Sequence, residues 1–232
     1  MQQIKGLLYF MTVESKRSLA IFWIILVSTI MLSLMIAYFL GSNNDVKLVF
    51  MISIPTYIHC AIYAFVSVKQ TIPFSIKMGA SRKNIFISMG VFLITLVLIQ
   101  NIFINLFYEI LRFTVQALDI SSFQLIHPAQ LLGNSFSERL ITDFAIMLCL
   151  LAVMYVLSLL FYNYGLIGGG SFGAAIVIIL VFAVAKGWMA QWVAFISKSM
   201  NINFFYWMML ISLAVYVTAW ALVRKINIKR IA

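Results

Sequence analysis

The chain has 232 residues, 64% of them apolar, and carries sixteen Lys and Arg against six Asp and Glu, a formal net charge of +10. Soluble domains are roughly 45–50% apolar and about 25% charged. Here only 9% of residues are charged and the mean hydropathy is +1.08, which excludes an ordinary water-soluble domain and points to an all-α membrane protein.

Residues 2–16 read "QQIKGLLYFMTVESK". They are too short and too polar to cross a bilayer. Ile4, Leu7, Leu8 and Met11 recur at helical spacing, which predicts a helix lying in the inner interface and feeding the first crossing. A helix crosses the hydrocarbon core, about 30 Å thick, in about 20 residues. Six runs reach that length, at about 18–40, 47–68, 86–108, 140–162, 168–187 and 204–223. Pro55 is expected to bend the second of these. The longest loop, residues 109–139, mixes polar and apolar residues without a clear period, and short helices on the outer surface are expected there. Trp188 and Trp192, four apart, suit the outer headgroup region, so 187–203 reads as a short interfacial or partly re-entrant element.

Orientation follows from the basic residues. With the N-terminus in the cytoplasm, eleven of the sixteen Lys and Arg fall in inner segments. Lys5, Lys16, Arg17, Lys69, Lys77, Arg82 and Lys83 are among them. Asp45, Asp119 and Glu138 fall outside. The bias predicts six crossings, both termini cytoplasmic, and residues 69–85 as a cytoplasmic loop. The cations lie between apolar runs and form no stripe or patch, so nucleic acid is not an expected partner. Cys60 and Cys149 sit inside apolar runs without paired spacing, so neither a disulfide nor a metal site is expected.

That loop contains "TIPFSIKMGASRKNIF". Thr71 can cap a helix start, and Pro73 fits a first turn. Gly79 suits a helix stop, because glycine takes positive φ at little cost. Ser81 can cap the next helix. The stretch predicts a short helix, a sharp stop and a restart. A helix of under three turns is marginal alone. It needs the membrane surface or a protein partner to pack on, with Phe74 as the anchor.

Phe74, Gly79, Ser81 and Arg82, within "FSIKMGASR", resemble the first cytoplasmic loop of ABC-2-like bacterial exporter permeases, especially the small ones of Gram-positive bacteria. The layout of the whole chain is similar as well. The resemblance implies a multi-pass permease of the bacterial cell membrane whose loop is a coupling helix docking into a separate ABC ATPase. The docking residues would be Thr71, Ile72, Pro73, Phe74, Lys77, Met78, Gly79, Ala80, Ser81, Arg82 and Lys83. It also implies a second identical or related permease chain, and cargo such as amphipathic or antimicrobial peptides and other hydrophobic molecules. The sequence has no GxxxxGK(S/T), so ATP and Mg would be bound by the partner, with no cofactor and no catalytic residue expected on this chain. The other reading is a secondary carrier, or a membrane signalling or scaffold subunit.

Polar residues inside the runs bear on both readings. Asn101, Asn105, Glu109 and Arg112 are spaced by four, four and three, so they form one helical stripe. Such residues are costly against lipid and are expected to face a translocation path, a dimer interface or the bundle. Glu109 is placed to pair with Arg112, and Arg139 with Asp143. His59 has no acid near it in sequence and reads as a satisfied interior residue. Gly165, Gly169 and Gly173 are four apart. They predict a tight inner turn followed by close packing, or alternatively a hinge.

Overall fold

The computed structural model describes residues 2–40, 48–120, 122–189, 191 and 201–226. Its long elements are all helices. They are α1 (Gln2–Leu40), α2 (Ser53–Lys77), α3 (Arg82–Ala117), α4 (Phe136–Ala185) and α5 (Ile202–Arg224). Two three-residue strands, β1 (Leu48–Phe50) and β2 (Phe123–Leu125), pair in parallel, and a 3-10 turn follows at Pro128–Leu131. Among the described residues, α1, α3, α4 and α5 are long and apolar enough to cross a membrane.

The apolar runs recur within helices, with changes of boundary. No turn separates residues 2–16 from the first apolar run. The separate interfacial helix is therefore replaced by one unbroken α1, because Leu7, Met11 and Ser15 are buried against the bundle. Gln3 accepts from the Asn84 amide at 2.8 Å, and Trp23 meets Phe103 and Phe107, so α1 runs alongside α3. The second run begins only at Ser53, after β1, and continues through Pro73 to Lys77. Interior proline costs about 3 kcal/mol. Val68, Thr71, Ile72 and Ser75 are all buried around it, and their packing holds the helix together. The third run extends beyond 108 to Ala117, taking Glu109 and Arg112 into α3.

The fourth and fifth runs both lie in α4, which breaks at Gly165 (φ 70°, ψ −167°). A straight helix of 50 residues would be about 75 Å long, but this one folds back. A Cβ on Gly169 would sit 2.8 Å from the Cα of Phe161. Eight residues along a straight helix are about 12 Å apart. The predicted turn is therefore present, and its second half packs on the first through Gly169. At Gly173, by contrast, an added Cβ would meet open space. The element expected over 187–203 is described only in part. Trp188 lies edge-on to Phe182, while Trp192 falls outside the described residues.

The first arm of α4 is the centre of the bundle. Its Tyr155 is fully buried, stacks on Tyr216 of α5 and points its hydroxyl at Met89 of α3. Ser158 donates to the Phe65 carbonyl of α2. The start of α1, the α2–α3 turn, the Gly165 turn and the end of α5 meet at one end of the bundle. Asn84–Gln3, Arg82–Arg224 and Asn163–Leu222 hydrogen bonds join them. Lys5, Lys77, Arg82, Lys83, Arg224 and Lys225 belong to the segments at this end. The strands, the 3-10 turn and the start of α4 close the other.

Candidate functional site

The α2–α3 turn is built from local chemistry. Ala80 N–H donates to the Ser75 carbonyl and Gly79 N–H to that of Ile76, the paired bonds of a Schellman stop. Gly79 has φ 71°, as that stop requires. Ser81 is in extended conformation and its hydroxyl accepts from Asn84 N–H, capping α3. Arg82 then reaches sideways. Its two terminal nitrogens donate to the carbonyls of Arg224 (2.6 Å) and Ile226 (2.9 Å) at the end of α5. A helix C-terminus carries unsatisfied carbonyls and partial negative charge, so a guanidinium is a matched partner.

The structure divides the predicted docking residues into two groups. Lys77, Met78, Gly79, Ser81, Arg82 and Lys83 are exposed at the tip, with Met78 67% exposed. Thr71 and Ile72 lie inside the bundle, so Thr71 caps nothing. Pro73 is in the interior of α2, not in a first turn. Phe74 stacks face to face on Phe10 of α1 at 3.7 Å between centroids, so one face of its ring is taken up by α1. Ala80 is half-buried beneath the tip.

At the opposite end lies a buried polar cluster. Asp143 of α4 is fully buried. Its carboxylate accepts from Tyr57 Oη of α2 (2.5 Å), Asn105 Nδ2 of α3 (2.9 Å) and His127 Nε2 (3.2 Å). Ala129 N–H donates to His127 Nδ1 at 3.1 Å. That bond assigns the ring proton to Nε2, where it faces Asp143. Asn101 donates to the Leu140 carbonyl, tying α3 to α4 one turn away. The Asp143 carboxylate thus joins α2, α3, α4 and the α3–α4 loop at one point.

Of the predicted stripe, Asn101 and Asn105 face the bundle as expected, and Arg112 does not. It lies beside the buried Leu111, on a face of α3 that is exposed. Neither expected ion pair is among those that the described residues form. Glu109 pairs with Arg139, whose guanidinium is buried, donates to the Asn134 carbonyl and lies over the Tyr108 ring. Asp143 pairs with His127 instead. Both chain-local pairs fail because α3 and α4 cross where Glu109 reaches Arg139 directly. His127 lies in the connection between α3 and α4. Nothing in the sequence signals its role except its place before Pro128, which starts the 3-10 turn. Among the described residues no group of three or more His, Cys, Asp or Glu is placed to hold a metal ion.

No protein-family model matches this chain, and no curated protein or solved structure is detectably similar to it.

Proposed function

We propose that this chain is the membrane-spanning subunit of an exporter powered by a separate ABC ATPase, with the exposed α2–α3 tip as the place where the motor docks. The observation that carries the reading is the construction of that tip. A solvent-facing methionine stands among Lys77, Arg82 and Lys83, on a turn fixed by a Schellman stop and a serine cap. The tip is tied through Arg82 to the end of α5, so a push on it is carried into α2, α3 and α5 together. An idle loop needs none of these ties. The docking set is narrowed to Lys77, Met78, Gly79, Ser81, Arg82 and Lys83, with Met78 as the anchor in place of Phe74.

In this reading the chain crosses the bacterial cell membrane six times, both termini in the cytoplasm. The two arms of α4 count separately, and the less apolar α2 buries one face in the bundle and turns Ile54, Ile58 and Ile62 outward. The second arm of α4 is apolar and open around most of its surface, with Ile167 89% and Ile178 68% exposed. Lipid covers one side of it and a second permease chain the other. ATP and Mg stay on the motor subunit. Cargo is an amphipathic peptide or other hydrophobic molecule, in keeping with the mostly apolar long helices.

The buried Asp143–His127 pair favours a second reading, a secondary carrier in which an intramembrane acid moves a proton or cation. The two readings part in one experiment. Purified in mild detergent, the chain should bring with it a protein that hydrolyses ATP, and Met78→Glu with Lys83→Glu should release that protein without lowering membrane insertion. Transport by the purified chain driven by a proton or sodium gradient alone would decide for the carrier.

A further inference from the structure

Between α1 and α2, at the level of the second predicted crossing, is a cavity of about 150 Å³. The outer polar cluster and the docking tip do not include it. Glu14 and Ser18 of α1 form one wall, and His59, Tyr63 and Gln70 of α2 the other. Ile62 and Val66 complete it and are themselves exposed on the outer face of α2, so the cavity opens sideways between the helices toward the surface that lipid would cover. The volume is that of about five waters at roughly 30 Å³ each, or of one small polar head group.

The chemistry of the lining is one-sided. Gln100 Nε2 donates to His59 Nδ1 at 2.8 Å. His59 Nε2 therefore bears the ring proton and faces Ser18 Oγ at 3.4 Å. The ring is held in place by Phe22 stacked on it at 4.2 Å. The histidine thus offers the cavity a donor and no formal charge. The only formal charge in the lining is the Glu14 carboxylate. Among the described residues the contacts between basic and acidic side chains are His127–Asp143 and Arg139–Glu109, so neither Lys16 nor Arg17 is within pairing distance of Glu14. A half-buried carboxylate without a cation, set in an apolar groove, carries a desolvation cost that a bound cation would offset. The Tyr63 ring beside it is a second surface suited to an ammonium.

We infer that the α1–α2 cavity binds the ammonium head group of a single-chain amphiphile, with Glu14 as the counter-charge, the Tyr63 ring as the flank and Ile62 and Val66 guiding the aliphatic tail outward. The inference rests on the exporter reading for its meaning as a cargo entry, and the cavity itself needs only a chain embedded in lipid. The same chemistry has two sources, a cationic cargo or the head group of an aminolipid.

The test uses the full chain in phosphatidylglycerol nanodiscs, without any ATPase, so its result is independent of motor docking. The probe is dodecylammonium carrying a photoactivatable group near the head. Cross-links are expected on peptides containing Glu14 and Ile62–Val66. Glu14→Gln should weaken labelling about tenfold, the scale of one lost charge-assisted contact, while Glu14→Asp retains most of it. Val66→Trp, on an exposed position, should fill the cavity and abolish labelling even if Glu14→Gln disturbs the helix. Dodecanol should not compete. Unchanged labelling in both Glu14→Gln and Val66→Trp, or equal competition by dodecanol, would overturn the proposal. A drop in labelling when phosphatidylethanolamine is added supports the site with the aminolipid as occupant. Labelling that persists supports it with a cationic cargo.

Discussion

Arg82, the first residue of α3, donates to the carbonyl of Arg224 at 2.6 Å, 142 positions away in the chain. A second bond from the same guanidinium reaches Ile226. The α2–α3 turn and the end of α5 are thereby one mechanical unit, and several consequences can be measured.

Removing that tie should loosen the end of α5 and leave the rest in place. Arg82→Ala forfeits two charge-assisted bonds, which for an exposed residue is worth about 1–2 kcal/mol in total. Hydrogen exchange at residues 220–226 should accelerate, with α3 unchanged beyond its first turn. Arg82→Lys, a single point donor, should restore part of the protection.

The Asp143 cluster should respond asymmetrically to deletion of its partners. Tyr57→Phe leaves one carboxylate oxygen without its donor and should cost about 1–3 kcal/mol. Asp143→Leu strands the Tyr57 hydroxyl, the Asn105 amide and the His127 N–H together, and should cost more than Tyr57→Phe. His127→Ala should release the α3–α4 loop specifically, so that a cysteine introduced at Gln130 reacts faster with a thiol reagent. Thermal unfolding in nanodiscs and labelling rates check the two halves of this expectation.

For the Glu109–Arg139 pair the sign depends on which partner is removed. Glu109 is partly open to solvent, whereas Arg139 is buried. Arg139 keeps the Asn134 carbonyl and the Tyr108 ring when Glu109 is lost, so Glu109→Gln should cost about 1–3 kcal/mol, less than a fully buried pair. Glu109→Leu combined with Arg139→Leu should recover part of that. Arg112→Ala, at the position first expected to pair, should change stability by no more than about 0.5 kcal/mol.

The α4 hairpin makes a contrast within one glycine series. Gly169→Val introduces side-chain atoms where Phe161 already sits and should cost about 1–3 kcal/mol, with slower or incomplete membrane insertion. Gly173→Val, facing open space, should be close to neutral. Equal effects at the two positions would mean that the chain does not turn back at Gly165.

What was legible in the sequence was local. Gly79 and Ser81 announce the stop and restart because φ preference and side-chain capping act within four residues. Gly165 announced its turn for the same reason. The apolar runs announced the long helices. Thr71 and Pro73 misled, because burial of Val68, Ile72 and Ser75 outweighs the loss of one backbone bond at Pro73, and no nearby residue signals that. The Asp143 site was hidden for a different reason. Its three donors come from 16, 38 and 86 positions away. Spacing within one helix could place Asn101 and Asn105 on the right face. It could not tell that Glu109 would meet Arg139 from another helix.

The claim that the α2–α3 tip receives a motor is tested most directly by a photo-cross-linking side chain at Met78 in living cells, with Leu118 at the far end of the bundle as the control. An adduct with an ATP-hydrolysing protein is expected at Met78 and absent at Leu118, and its yield should change when the motor is locked by a non-hydrolysable nucleotide. If Met78 captures no such protein, or is reached by a membrane-impermeant reagent from outside the cell, the tip does not face a cytoplasmic motor.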